Sequence, residues 1–167
     1  MARAREIPGL ECDESFALAA ARVVEVRAGE VLEHSHDVLD LSDPERVHAM
    51  RVATRRLRAA MEIFAPCFQR KPHRRALKEV KAIADALGER RDRDVAIEAL
   101  ESYAAGVGAA DRDGVEVLLV ALRREQESAN DALVPFVAEE RLAALRGSVD
   151  EMVEDTRRGA EAGGVSA

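Results

Sequence analysis

The sequence predicts an all-α chain, an antiparallel helical bundle of about five to six helices. Three observations lead there. Alanine and leucine abound while aromatics make up 3% and tryptophan is absent, so the core must be aliphatic, which suits packed helices better than a β-sandwich. Charged residues at 34% fit long solvated helix faces. Apolar residues recur at spacings of three and four in one segment after another, and no stretch reads as a pair of strands. A chain of 167 residues fits one domain with a sizeable core.

The elements follow in order. Residues 1–12 read as a flexible leader, residues 13–158 as a single bundle, and residues 159–167 (GAEAGGVSA) as a disordered tail. Asp13 or Ser15 can cap a first helix that runs through Phe16, Val24 and Val31 towards Leu39. Leu41-Ser42-Asp43-Pro44 is a strong helix start, with Ser42 or Asp43 as the cap and Pro44 near the first helical position. That helix should reach about Ala65, where Pro66 stops it. Pro72 opens the next one, with Leu77, Val80, Ala84 and Leu87 as its apolar stripe. Gly88 is expected to break or bend it, and Asp92 or Asp94 to cap a further helix from Val95 to about Ala104. Beyond Gly106 and Gly108 a long helix built on Val117, Leu118, Leu122, Ala129 and Leu133 is kinked or ended by Pro135. A last amphipathic helix, 138–158, carries Leu142, Leu145, Val149, Met152 and Val153.

Charge is distributed unevenly. The net charge is −7, which argues against a general nucleic-acid binder. Yet Arg46–Lys81 holds eleven Lys/Arg against Glu62 and Glu79, a net of +9, while the remainder carries −16. A basic patch in an acidic protein attracts a particular polyanion and discourages indiscriminate binding. The patch centres on His48-Ala-Met-Arg51-Val-Ala-Thr-Arg55-Arg56-Leu-Arg58. On a helix Met50, Ala53, Leu57, Met61 and Phe64 share one arc of roughly 80°, and His48, Arg51, Arg55 and Arg58 share the opposite one, with Arg56 beside them. Arginines three and four apart weaken an isolated helix by a few tenths of a kcal/mol per pair. A solvated face would interleave acids, but none lies between Glu45 and Glu62. An extended anion would relieve the repulsion. On the next helix Arg74, Lys78 and Lys81 form a second basic row ending at Asp85; if the two rows face each other, they form a trough.

These residues resemble a known family. His48-x-x-Arg51-x-x-x-Arg55-Arg56-Leu57-Arg58, followed by Leu87-Gly88-x-x-Arg91-Asp92-x-Asp94-Val95, is similar to the two motifs of the CHAD family, the conserved histidine α-helical domain. The resemblance covers roughly residues 10–158. It implies a CHAD-like helical bundle that binds inorganic polyphosphate through basic residues and needs no catalysis or cofactor. Family members usually contain two such bundles, and no second basic helix follows Asp94 here. Two copies related by a two-fold axis could therefore complete a passage, so a homodimer is expected.

The chemistry of the residues agrees on its own grounds. Polyphosphate offers no base edges or stacking faces, so it calls for a row of forked guanidinium donors and no aromatics. Single-stranded nucleic acid would favour stacking platforms. The expected site is His48, Arg51, Arg55, Arg56, Arg58, Arg74, Lys78, Lys81 and Arg91, with His48 in the first turns of its helix, where the dipole attracts anions. Arg91 could enter the trough or pair with Asp92. Asp92 and Asp94 are read as capping or orienting groups; a divalent metal or general-base chemistry are the alternatives. The competing functions are a metal-dependent polyphosphate or triphosphate hydrolase and a nucleic-acid or nucleotide binder.

Other features are quieter. His34 and His36, two apart, fall on different faces of a helix and do not suggest a metal site. Cys12 and Cys67 have no motif spacing and read as buried thiols. The N-terminus lacks the apolar run of a signal peptide, and no stretch approaches the ~20 apolar residues that span a membrane. A cytoplasmic protein, associated with polyphosphate granules, is the expectation.

Overall fold

In the computed structural model, which describes residues 4–11 and 13–163, five helices follow one another: α1 (Phe16–Glu33), α2 (Pro44–Ile63), α3 (Arg70–Ala104), α4 (Ala109–Val137) and α5 (Glu139–Gly163). A 3-10 turn, Ala65–Cys67, separates α2 from α3. No strand occurs among the described residues. The all-α expectation holds.

Local chemistry sets the helix starts. Ser15 Oγ accepts the Leu18 N–H at 3.3 Å, and Asp43 Oδ1 accepts the Glu45 N–H at 3.2 Å with Pro44 in the first turn. Each cap satisfies a donor that the helix itself leaves orphaned. Between α2 and α3 the His73 Nε2–H donates to the Met61 carbonyl at 2.8 Å, and the imidazole stacks on Phe68. This buried clasp helps hold the register of the two helices.

α1, α2, α3 and α5 close a ring of contacts, α1 on α2, α2 on α3, α3 on α5 and α5 on α1, while α4 packs chiefly on α3. The main core is aliphatic: Ala20, Val24 and Val31 from α1 meet Met50, Leu57 and Met61 from α2, Val80, Ile83 and Leu87 from α3, and Leu145, Val149 and Met152 from α5. Burying each large side chain contributes about 1.5–3 kcal/mol.

α3 departs from the sequence expectation. It runs unbroken through Gly88 for 35 residues, about 52 Å at ~1.5 Å per residue. A glycine inside a helix costs about 1 kcal/mol against alanine, less than the packing on either side returns. Asp92 and Asp94 therefore lie inside a helix and cap nothing. Val95 and Tyr103 are exposed apolar positions of this stretch. Beyond the ring, the second half of α3 and the first half of α4 form an arm with a small core of its own, Ile97, Val115 and Leu119. On α4 it is Val115 and Leu119 that point inward, while Val117 and Leu118 face solvent.

Several ends also differ. α1 stops at Glu33, short of Leu39. The helix α4 continues two residues past Pro135, and Arg141 gathers the corner: it donates to the Pro135 carbonyl, bonds Glu79 at 2.9 Å and lies over the Phe136 ring. α5 extends to Gly163, so the expected disorder from Gly159 does not describe residues 159–163; residues 164–167 lie outside the described residues. The leader is tied down where it is described, since the Arg5 N–H donates to Glu30 Oε1 at 2.6 Å and the Pro8 carbonyl accepts from Arg22. Cys67 is half-buried, and burial pushes its thiol above the ordinary value. Cys12 lies outside the described residues.

Candidate functional site

Helical periodicity on α2 divides the site from the core. Met50, Ala53 and Leu57 are fully buried. Arg51, Arg55 and Arg58, on the other side, line an open groove of about 350 Å³ between α2 and α3. Ala84 and Gly88 contribute small or absent side chains to its lining. The α3 wall of the groove is Asp85, Glu89 and Asp92.

That wall corrects the two-row trough. Arg74, Lys78, Lys81, Asp85 and Asp92 belong to one helical stripe of α3 that changes sign along its length. The antiparallel register sets the arginine row of α2 against the acidic half of the stripe, not the basic half. Arg74 and Lys78 are exposed outside the groove. Lys81 stands at its end, where Glu62 Oε1 takes both Lys81 Nζ at 3.0 Å and Arg58 Nε at 3.1 Å. The hydrogen bond from Lys81, then that from Arg58, hold the Glu62 carboxyl below its ordinary range.

Opposite charges line the groove, three guanidiniums on the α2 side and three carboxylates on the α3 side. Arg51 and Arg55 make no ion pair among the described residues, and neither do Asp85 and Asp92; Glu89 turns to Arg93 at 3.3 Å. Both acids of the basic stretch are already engaged, Glu62 as above and Glu79 by Arg141. Of the three groove arginines, Arg58 is paired with Glu62, while Arg51 and Arg55 make no ion pair among the described residues.

The remaining expected residues scatter. His48 is half-buried one turn before Arg51 and is not part of the groove lining. Arg56 is not part of the groove lining, and its charge acts on Glu30 of α1. Burial alone would raise the Glu30 carboxyl, but the Arg5 N–H, the Arg27 guanidinium at 2.9 Å and the charge of Arg56 hold it below the ordinary value. Arg91 lines a second cavity, of about 510 Å³, with Ser42, Asp94, Arg123 and Gln126. Asp92 and Asp94 are therefore separated, the first in the arginine groove and the second buried.

Asp94 belongs to a pair that the sequence reading missed. Arg90 is fully buried and bonds Asp94 through Nη1, while Gln126 Nε2 donates to the same carboxylate at 2.6 Å. Burial lowers the Arg90 guanidinium below its ordinary value, and the Asp94 charge opposes that shift. The signal was present: Val80, Ile83, Leu87, Arg90, Asp94 and Ile97 occupy alternating spacings of three and four, so the two charges sit on the buried stripe. The arginine that Asp94 holds is Arg90.

Among the described residues, no group of three or more His, Cys, Asp and Glu is arranged to hold a metal ion. No helix is long and apolar enough to cross a membrane among them either. Of known protein families, the model of the CHAD domain matches residues 22–166. No curated protein matches the chain.

Proposed function

The chain belongs to the CHAD family, and on that premise we propose that it binds inorganic polyphosphate, without catalysis, along Arg51, Arg55 and Arg58. The observation that supports this reading best is the unpaired charge of Arg51 and Arg55 in an open groove. A phosphate chain laid on that wall receives forked, charge-assisted N–H donors and relieves the repulsion along α2. No aromatic side chain lines the groove, so stacking of bases has no platform. The acids of α3 favour a narrow, single-stranded anion held on the arginine side and repel a broad one such as duplex DNA. The function belongs where polyphosphate accumulates, in the cytoplasm and its granules.

The test is a titration of the protein with polyphosphate at fixed salt, with DNA and RNA as competitors. Polyphosphate should bind, and neither nucleic acid should displace it at comparable phosphate concentration. Displacement by short RNA would replace this reading with a nucleic-acid binder.

One observation favours a second reading, a metal-dependent phosphohydrolase: carboxylates and guanidiniums line the same groove. Only Asp92 of the expected Asp92–Asp94 pair is available for it, with Asp85 and Glu89 as neighbours. Phosphate release from polyphosphate that requires Mg²⁺ and is lost in Asp92→Asn would establish that activity.

A further inference from the structure

The arm formed by α3 and α4 is poorly covered. Its core is only Ile97, Val115 and Leu119 with a few half-buried neighbours, while Val117 (68%), Leu118 (56%) and Val120 (42%) remain exposed. Val117 and Val120 lie on the side of α4 opposite the buried Val115 and Leu119, an apolar strip that the arm's own core does not use. On α4 a shallow groove of about 410 Å³ is lined by Asp113, Glu116, Val117, Val120, Ala121 and Arg124. Its order along the helix is acid, apolar, base.

That order is self-complementary. A two-fold axis crossing α4 between Leu118 and Leu119 sets two copies of the helix antiparallel. Val117 then meets the partner's Val120, Glu116 meets the partner's Ala121, and Asp113 meets the partner's Arg124. Every contact occurs twice, as a two-fold interface requires. A parallel arrangement would instead set acid against acid and base against base. We propose that the chain forms a homodimer through this face of α4, the arms of two copies making a four-helix bundle.

The pairing differs from one that joins the arginine grooves, because the contact lies on α4 while the grooves lie between α2 and α3. It does not rest on polyphosphate binding. If both hold, the assembly presents two grooves, and a chain long enough to reach both binds with avidity.

Light scattering after gel filtration of the full chain, without polyphosphate, should give a dimer. Val117→Glu should give a folded monomer by circular dichroism. Asp113→Arg or Arg124→Glu alone should weaken association by about two- to thirtyfold, the worth of two exposed ion pairs. The double variant D113R/R124E should restore it, since each reversed charge again faces its opposite across the axis. These two residues keep the test valid if Val117→Glu fails to fold. A monomer at every concentration, or a dimer indifferent to the single charge reversals, overturns the proposal.

Discussion

Arg90 has no contact with solvent, and the charge that makes it tolerable is the carboxylate of Asp94. Removing one partner of a buried pair leaves an uncompensated charge, which costs about 3–5 kcal/mol. Asp94→Ala should therefore lower the free energy of unfolding in urea by about that amount, whereas Arg90→Met with Asp94→Leu should recover most of it. A loss below ~1 kcal/mol in the single variant would mean that the pair is not what holds this stretch of α3. Glu30 gives a second prediction at this scale. Its carboxyl titrates lower in the folded chain than in the unfolded one, so the folded state is the weaker proton binder. Its contribution is complete above the unfolded value, about 4.3 for glutamate, and is lost as pH falls through the folded value. Glu30→Gln should be less stable than the parent protein at pH 7, and the gap should close in acid. A gap that stays constant from pH 7 to pH 3 would contradict this.

Helix α3 shows where reading the sequence succeeds and where it stops. The start signals at Ser15 and Asp43 act within a turn of the chain, and both are seen. So is the division of α2 into an apolar face and an arginine face, which periodicity alone decides. Gly88 and the acids after it mimic a break and a new cap, but a break is a competition that tertiary packing settles. What stands across from the arginines was not legible at all. It depends on the register of α3 against α2, set partly by the His73–Met61 clasp. That register brings Asp85 and Asp92, and not Arg74 and Lys78, to the groove. Gly88 supplies the prediction at this scale. Its backbone is helical and a Cβ there would meet nothing within 4 Å, so Gly88→Ala should stabilise the protein by about 0.5–1 kcal/mol. Thermal unfolding checks this; a lowered midpoint would show that the helix needs the glycine.

At the scale of the molecule, the net charge of −7 conceals a stretch of +9, and the fold concentrates three of its arginines on one wall. Binding carried by that wall must release counterions. The direct measurement is polyphosphate affinity against salt for the parent protein and for the triple variant R51A/R55A/R58A. Three neutralised phosphates give a slope of log affinity on log salt of about −2 to −3, at 0.7–0.9 per contact by analogy with nucleic acids. The parent protein should show at least that slope, and the triple variant should lose most of both its affinity and its salt dependence while keeping its helicity. Unchanged affinity and slope in the triple variant would contradict the account.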